Sequence, residues 1–519
     1  MDRLKLNQDL TLGIGLFLIV LFSRLPFIGE ILYHWDSINF AFALERFDVS
    51  VGQPHIPGYI LYVLLGRAVD AIFQNPQQSL AYISMIGSAS AVVAIFFLGR
   101  AFYDVRTGII AALFLATSPL YWFYSEVALP HSFDCFVVIV SVWMFYRIAQ
   151  GQTKLAIPAA IWLALAGGLR PQTQVFLLPL ALYAYWQIAW VLRLISLTVL
   201  ILVDFSWFLP MITMSGGFSR YFEIFRSFYL SFNKSTSIVS GGGLKGIEKN
   251  LLKLGMYTAY AWLAGAIPLL AAGLSGIRNP EQWREALRFD QRAKILLLWV
   301  IPPLAYYVFI HMGQQGLIFI FLPALILVSA ASFNRLNWKR SSYRTAALLA
   351  LVCINVFVFL LLPTFPVGSE IIKVLTLDTI QQHDETYLAR INAVKNEFHP
   401  ENTLLLSTGW RFPQYYLPEY EYLPYKLQGR WDPERGSPAQ DEEIYLDIPA
   451  LGVSPDSGGA LYLVIFDHEI IPLIEPPQSL QWVEMNDGGR LGYLKVEHQD
   501  QLYMGPNSLG VISKNQDGK

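Results

Sequence analysis

The chain has 519 residues, of which 54% are hydrophobic and 15% are charged, and its formal net charge is −2. A soluble protein usually has about 25% charged residues, so this composition indicates a membrane protein and excludes a disordered chain. The near-neutral charge argues against nucleic acid as a partner, and Cys135 and Cys353 lie too far apart in the chain to indicate a disulfide framework or a cysteine metal site.

Apolar runs close to the thickness of a bilayer recur through the first 362 residues. Lipid cannot satisfy backbone polar groups, so such runs are expected to form helices. We predict about eleven transmembrane helices, near residues 10–28, 79–98, 107–121, 130–149, 155–169, 172–190, 194–212, 255–275, 294–311, 316–333 and 344–362. The predicted fold class is therefore a polytopic α-helical membrane protein, with residues 1–362 as its transmembrane domain.

Lysine and arginine concentrate in alternate connections between the predicted helices, for example at Arg100, Arg147, Arg193 and Arg335. Short loops rich in these residues stay on the cytoplasmic side of a membrane. With an odd number of helices, the N-terminus is then cytoplasmic and everything after Pro363 is extracytoplasmic. The same orientation places all four histidines of the transmembrane domain at outer loops or outer helix ends.

The first predicted outer loop, residues 29–78, holds the densest polar cluster, at residues 33–37 (YHWDS) and 53–59 (QPHIPGY). A carboxylate at a membrane surface can take a proton from an acceptor hydroxyl as that oxygen attacks an electrophilic carbon. Asp36 is therefore a candidate general base. The alternative is an ordinary helix-capping or solvated loop acid.

Three more ionisable residues follow around the next outer loop. Glu126 lies in that loop, and His131 and Asp134 share a face at the start of the following helix because they are three residues apart. Carboxylates with a histidine can hold a divalent cation or orient a phosphate. For Asp134 the alternative is a first-turn acid that the helix dipole favours.

Two further outer turns carry polar side chains. Arg170 lies in residues 167–172 (GGLRPQ), where one helix emerges and the next one re-enters the membrane. Its planar guanidinium suits phosphate oxygens, and the alternative is an arginine that reaches lipid headgroups. His311 and Gln314 lie in residues 311–316 (HMGQQG), which form either a functional hairpin tip or simply a turn.

Residues 363–519 differ from the rest of the chain. Their apolar residues shorten to strand-like runs, such as 404–406 and 461–466, and proline and glycine separate these runs. The pattern predicts a small soluble domain on the outer side, either α/β or mostly β. The aromatic stretch 410–418 is a candidate either for binding an acceptor through its ring faces or for capping a cavity.

The first-loop pattern, residues 33–37 followed by 53–59, resembles that of bacterial GT-C glycosyltransferases, which are polytopic relatives of the protein O-mannosyltransferases and of the aminoarabinose transferase. Residues 124–126, 168–172 and 311–316 fall in the order that such proteins show. The resemblance covers roughly residues 1–362. It implies a GT-C-like enzyme of the inner (cytoplasmic) membrane that moves a hexose or pentose from a polyprenyl-phosphate donor to an acceptor hydroxyl on the outer face, with inversion.

The resemblance also implies roles for individual residues. Asp36 matches the first-loop catalytic acid, which activates the acceptor hydroxyl. Contacts with the phosphate or sugar of the donor are implied for a further set of outer polar residues: Arg170, His55, His311, Glu126 and Gln314. Some relatives need a divalent cation, for which Glu126 and His131 are the candidates here, but a single first-loop acid in place of an adjacent pair leaves that requirement open.

The implied partners are a polyprenyl-phosphate-linked sugar, membrane lipid, and an acceptor that is a protein, a lipid or a glycan. The alternative function is a transporter or flippase of lipid-linked sugars. Transporters usually contain paired repeats and charges at the bilayer midplane. The sequence contains no visible repeat, and Asp204 is the exception among charges that otherwise lie near the predicted membrane surfaces.

Overall fold

The computed structural model describes residues 2–278, 290–367, 369–427, 431–432, 437–438, 443–447, 461–497 and 500–513. The chain divides into two compact units, each of which is described by itself. The helical unit comprises Met1–Glu30, Ala43–Arg226 and Asn233–Ile380, and the mixed unit comprises Ile31–Phe42, Ser227–Phe232 and Gln381–Lys519. The helical unit thus continues past residue 362, where the sequence places the end of the transmembrane domain, and residues 31–42 group with the C-terminal residues.

The described residues form eighteen α-helices, which we number in chain order. They are α1 Asp2–Arg24, α2 Trp35–Glu45, α3 Ile60–Phe73, α4 Pro76–Phe102, α5 Val105–Thr117, α6 Pro119–Glu126, α7 His131–Ala149, α8 Ala156–Leu169, α9 Pro171–Trp186, α10 Trp190–Met214, α11 Phe218–Phe232, α12 Gly243–Trp262, α13 Ile267–Arg278, α14 Gln291–Phe309, α15 Leu322–Arg335, α16 Ser341–Leu361, α17 Leu377–Glu397 and α18 Arg411–Tyr416.

Seven helical segments of the described chain are long and apolar enough to cross a membrane: Gln8–Phe27, Pro76–Phe102, His131–Ala149, Trp190–Met214, Gly243–Ser275, Gln291–Phe309 and Ser341–Leu361. An eighth candidate is the pair α5 and α6, which is bent by 61°. The bend falls at Pro119, whose nitrogen cannot donate a hydrogen bond to the preceding turn. All eleven predicted segments coincide with helices, which confirms a polytopic helical membrane protein, although several of these helices are short or bent.

Close packing around α4 organises the helical unit. A Cβ atom added at Gly87 would lie 2.5 Å from Cα of Phe133, so α4 and α7 touch backbone to backbone. Two serines reinforce this contact, because Ser84 Oγ donates to the Leu129 carbonyl over 2.8 Å and Ser132 Oγ donates to the Ser84 carbonyl over 2.9 Å. Small residues and hydroxyl hydrogen bonds are the usual means of joining helices in lipid, where the hydrophobic effect supplies no drive.

Twelve strands form in the described residues: β1 Phe365–Val367, β2 Ser369–Val374, β3 Thr403–Ser407, β4 Glu421–Pro424, β5 Trp431–Asp432, β6 Ser437–Pro438, β7 Ile444–Asp447, β8 Leu461–Ile465, β9 Gln481–Glu484, β10 Arg490–Val496, β11 Asp500–Met504 and β12 Leu509–Ser513. The mixed unit contains a five-stranded sheet in the order β4-β3-β8-β10-β9 and a three-stranded sheet in the order β12-β11-β7.

The five-stranded sheet confirms the predicted α/β character of the C-terminal domain. Strand β3 is parallel to both β4 and β8, whereas β10 is antiparallel to its neighbours. All residues of β3 are buried, as expected for a parallel strand that is covered on both faces. Its leucines pack with those of β8 and β10 in one apolar core, which includes Leu404, Leu463 and Leu494.

Two matched glycine substitutions test the packing around α4. Gly87→Ala should lower the melting temperature of the purified protein, because the added methyl group forces α4 and α7 apart at a cost of about 1–3 kcal/mol. Gly15→Ala in α1 adds the same group where no atom lies within 4 Å, so it should leave stability unchanged or raise it through better helix propensity. A Gly87→Ala protein as stable as the wild type would contradict the packing.

Candidate functional site

Five of the predicted site residues gather at one end of the helical unit, which we call the polar end. It comprises the start of α7, the α8–α9 turn, residues 310–316, the loop 233–242 and the turn 53–59. Here His131 contacts Gln314, Arg170 contacts Asp134, and His311 contacts Thr236. The charge of Arg170 also interacts with Tyr59 and with Tyr307, which brings the turn 53–59 to the same place.

Arg170 forms a buried ion pair with Asp134. Nη1 of Arg170 donates to Oδ2 of Asp134 over 2.7 Å, and Oγ1 of Thr173 donates to Oδ1 over 2.6 Å. The side chains of Arg170 and Asp134 are 4% and 3% exposed. Burial opposes the charged guanidinium, but the carboxylate outweighs burial and raises the pKa of Arg170 above its ordinary value. The positive charge of Arg170 is therefore already matched by a protein carboxylate.

Glu126 lies in a second buried charged cluster. Trp122 Nε1 donates to Glu126 Oε1 over 2.9 Å, and the guanidinium of Arg24 lies 3.9 Å from the centre of the Trp122 ring. Arg24 and Glu126 attract each other electrostatically, and Arg24 also donates to the Ala116 carbonyl. Glu126 is fully buried. This cluster joins α1 to α6 at the break between α5 and α6.

His131 has a different partner from Glu126. Its Nε2 lies 2.8 Å from Oε1 of Gln314, so the two side chains share a hydrogen bond. A Cβ added at Gly316 would lie 2.6 Å from Cγ of His131, so residues 310–316 pack directly on this ring. Within the described chain, no group of three or more His, Cys, Asp or Glu side chains is placed to hold a metal ion.

His311 is hydrogen-bonded to Thr236, and the backbone around both residues is hydrogen-bonded to Asn250. Nδ1 of His311 lies 3.0 Å from Oγ1 of Thr236. Asn250 Nδ2 donates to the carbonyls of Thr236 and Val308, and its Oδ1 accepts from the backbone nitrogen of Met312. Burial, and then the positive charges of Lys253 and Lys249, lower the pKa of His311 to about 3. The imidazole is therefore neutral at physiological pH and supplies no positive charge.

The two lysines beside His311 were missed by the sequence analysis. Lys249 and Lys253 are one helical turn apart on α12, and no ion pair is formed by either of them within the described residues. The signal was available, since Lys245, Lys249 and Lys253 recur at four-residue spacing and therefore share one face of the helix. These lysines place uncompensated positive charge at the polar end.

Asp36 belongs to the mixed unit and lies in the first turn of α2. Its backbone nitrogen donates to Nδ1 of His34 over 3.1 Å, and the same Nδ1 lies 3.6 Å from Oδ2 of Asp36. The positive end of the helix dipole favours an anion at this position. The side chain is 20% exposed, so a substrate can reach its carboxylate.

His55 is presented by a tightly built turn. The peptide bonds Gln53–Pro54 and Ile56–Pro57 are cis, and Gly58 has a positive φ of 113°. The His55 ring lies 4.9 Å from the ring of Tyr59, and the hydroxyl of Tyr221 donates to the Pro57 carbonyl over 3.0 Å. These two contacts hold His55 beside Tyr59, which lies within electrostatic range of Arg170.

Comparison with known proteins identifies similar proteins at two levels. Residues 57–213 match the sequence model of the family described as dolichyl-phosphate-mannose-protein mannosyltransferase. This match covers less than a third of the chain and includes Glu126, His131, Asp134 and Arg170. No curated protein matches the chain.

The fold is similar to solved structures of membrane glycosyltransferases. ArnT from Cupriavidus metallidurans bound to undecaprenyl phosphate has a TM-score of 0.57 and 14% identity, over 94% of this chain and 97% of that chain. The apo state of the same protein has a TM-score of 0.57 and 12% identity, over 95% and 98%. The apo oligosaccharyltransferase of Archaeoglobus fulgidus has a TM-score of 0.48 and 14% identity, over 89% and 70%.

The matched family segment and the shared fold together indicate a membrane glycosyltransferase of the GT-C type. This agrees with the resemblance of the first-loop pattern, residues 33–37 and 53–59, to GT-C glycosyltransferases.

The neutral state of His311 predicts a specific pH dependence of stability. An ordinary histidine has a pKa near 6.5 when unfolded, whereas that of His311 is about 3 in the folded protein. Between these values the unfolded chain binds a proton that the folded protein excludes, so stability falls as the pH is lowered from about 6.5, by up to about 1.4 kcal/mol per pH unit. Melting temperatures from pH 7.5 to 4.5 should therefore decline more steeply for the wild type than for His311→Gln.

The matched control is His468→Gln, which replaces an exposed histidine of the mixed unit and should retain the wild-type slope. Equal slopes for wild type and His311→Gln would contradict a neutral, buried His311.

Proposed function

We propose that this membrane glycosyltransferase moves a sugar from a polyprenyl-phosphate donor to an acceptor hydroxyl, with inversion at the anomeric carbon and with Asp36 as the general base. One observation carries the proposal, namely the different exposure of the three acids that the sequence marks as candidates. Asp36 is 20% exposed, whereas Asp134 is 3% exposed and Glu126 is fully buried. A general base has to touch the acceptor, and among these three acids Asp36 alone is accessible to it.

The surroundings of Asp36 suit a base. Nδ1 of His34 accepts the Asp36 backbone N–H, which fixes the ring beside the carboxylate. The carboxylate accepts the hydroxyl proton of the acceptor while the acceptor oxygen forms its bond to the anomeric carbon. The bond from that carbon to the phosphate oxygen breaks on the opposite side, so polyprenyl phosphate leaves and the configuration inverts. Each transfer ends with one proton on Asp36, which is released to water.

The leaving phosphate needs nearby positive charge, because negative charge develops on its oxygen as the bond breaks. Arg170 is neutralised by Asp134, and His311 is neutral. We therefore assign the donor phosphate to Lys249 and Lys253, whose charges are uncompensated in the described residues. The structure of ArnT with undecaprenyl phosphate supports a lipid phosphate as ligand of this fold.

The remaining predicted donor contacts receive supporting roles in this proposal. Arg170 and Glu126 bind other protein groups and hold helices together, while Gln314 orients His131. His55, whose side chain is partly buried, remains a candidate contact for the sugar. A divalent cation at Glu126 and His131 is not required by this scheme.

The orientation of the chain is also part of the proposal. The polar end lies on the outer side of the cytoplasmic membrane, as loop charge predicts. The opposite end of the helical unit carries arginines, where Arg292 donates to the Phe102 carbonyl and Arg100 pairs with Asp9. The mixed unit is then extracytoplasmic, and the family description favours a protein among the possible acceptors.

Replacement of Asp36 tests its role as base. Asp36→Asn should lower kcat by about 10²–10⁴-fold, because the amide cannot accept the proton. The assay measures transfer of radiolabel from a panel of polyprenyl-phosphate sugars to membrane extract and to protein acceptors. Glu45→Gln, an isosteric change of an exposed acid on the same helix, should retain wild-type turnover. Equal turnover by Asp36→Asn and wild type would remove Asp36 from the mechanism, and donor binding without transfer by either protein would favour a transporter.

Replacement of the lysines tests the assigned phosphate site. Lys249→Gln and Lys253→Gln should each weaken binding of undecaprenyl phosphate about tenfold, because a charge-assisted hydrogen bond contributes about 1.5 kcal/mol or more. Binding of undecaprenol, which lacks the phosphate, should not change. Lys154→Gln replaces an exposed lysine just before α8, at the other end of that helix from Arg170, and serves as control. Unchanged phosphate affinity in both variants would place the phosphate elsewhere.

A further inference from the structure

The segment that carries Asp36 is hydrogen-bonded within the mixed unit just ahead of α2. The backbone nitrogen of Ile31 donates to Oδ1 of Asp384 over 3.1 Å, and that of Leu32 donates to the hydroxyl of Tyr416 over 2.8 Å. Both of these residues are buried, and a buried backbone N–H requires a partner. Helix α17 supplies Asp384 and helix α18 supplies Tyr416, so two C-terminal helices hold the start of the first-loop segment.

Side chains of α2 pack against the same part of the unit. The ring of Trp35 lies 4.9 Å from that of Trp410 in an edge-to-face contact, and Phe42 lies 5.2 Å from Tyr415 in a similar contact. The guanidinium of Arg411 lies 5.8 Å from the Trp35 ring and 5.7 Å from the Phe42 ring. Trp35 and Phe42 are seven residues apart and share one face of α2.

Because neighbouring residues of a helix point about 100° apart, Asp36 projects in another direction. The packed face therefore fixes the rotation of α2, and with it the direction of the Asp36 carboxylate.

One buried carboxylate links both supporting helices to the sheet. Asp467, which follows β8, accepts hydrogen bonds from Ser407 Oγ over 2.5 Å and from the backbone nitrogens of Thr408 and Gly409 over 2.8 and 3.0 Å. Its other oxygen accepts from Arg390 of α17 over 3.2 Å. Since Thr408 and Gly409 lead directly into α18, Asp467 positions α17 and α18 relative to β3 and β8.

The burial and contacts of the aromatic stretch 410–418, which follows β3, indicate its role. Trp410 and Phe412 are each only 7% exposed, and Phe412 stacks on Tyr387 with ring centres 4.2 Å apart. Rings that are buried in this way offer little face to an acceptor. Within this stretch, Trp410 and Tyr415 pack instead against the segment that carries Asp36.

We infer that Asp384 and Tyr416 are positioning residues for catalysis, which hold the start of α2 so that the Asp36 carboxylate meets the acceptor hydroxyl. The inference rests on the proposed role of Asp36 as base. A displacement of about 1 Å at a reacting group costs roughly 10²-fold in rate. The C-terminal domain thereby contributes to the chemical step through the backbone nitrogens of Ile31 and Leu32.

The test compares Tyr416→Phe with Tyr420→Phe in the full-length protein. Tyr416→Phe removes the acceptor of the Leu32 N–H, whereas Tyr420→Phe removes a hydroxyl that donates to the Phe398 carbonyl over 2.9 Å elsewhere in the same unit. Tyr416→Phe should lower kcat about tenfold with an unchanged KM for the polyprenyl-phosphate sugar. Tyr420→Phe should retain kcat at a similar melting temperature.

A second pair of variants separates hydrogen bonding from folding. Asp384→Asn retains an oxygen that can accept from the Ile31 N–H, whereas Asp384→Ala does not. The kcat of Asp384→Asn should therefore lie closer to wild type than that of Asp384→Ala. Equal losses in the two variants would contradict positioning through this hydrogen bond.

Combination with Asp36→Asn distinguishes failure of this inference from failure of the proposed function. If Asp36 is the base and Tyr416 acts through it, Tyr416→Phe should not lower the residual kcat of Asp36→Asn any further. Full additivity of the two losses, or an unchanged kcat in Tyr416→Phe alone, would overturn the positioning role while leaving the base in place. An unchanged kcat in Asp36→Asn alone would overturn the proposed function itself.

Discussion

The buried ion pair between Arg170 and Asp134 is the constraint around which the polar end is arranged. Two charges removed from water are stable only when each is paired and hydrogen-bonded, and Thr173 completes the set of partners on the carboxylate. The pair ties α7 to the turn between α8 and α9. His131 lies one helical turn before Asp134 on α7 and is hydrogen-bonded to Gln314. The same helix therefore positions residues 310–316.

The ion pair also affects which positive charges can bind a substrate, because a charge that is paired with a protein carboxylate is already neutralised. Arginine suits phosphate oxygens better than any other side chain, yet Arg170 already has a carboxylate partner, and burial keeps His311 neutral. Lys249 and Lys253 of α12 lie beside His311 and form no ion pair within the described residues, so their positive charge is left for a substrate. A reaction that releases a phosphate needs such uncompensated charge, and an enzyme that lacked it would hold the donor without easing its cleavage.

The sequence predicted features that depend on local patterns. Apolar runs located the membrane helices, the runs 404–406 and 461–466 located β3 and β8, and the position of Asp36 after the first helix marked it as a candidate base. Features that depend on long-range pairing were not predicted. Arg170 and Asp134 are 36 residues apart, and no periodicity specifies that they meet. The sequence also does not predict that residues 31–42 group with the C-terminal residues, because this grouping depends on contacts between residues more than 350 positions apart.

The stereochemistry of a single turnover tests the central claim most directly. A polyprenyl-phosphate sugar carrying ¹³C at its anomeric carbon is incubated with the purified protein and an acceptor, and the anomeric configuration of the product is measured by NMR. The account predicts label on the acceptor with inverted configuration. Retained configuration would contradict a single displacement assisted by Asp36, and label that remains on the polyprenyl phosphate would contradict a transferase.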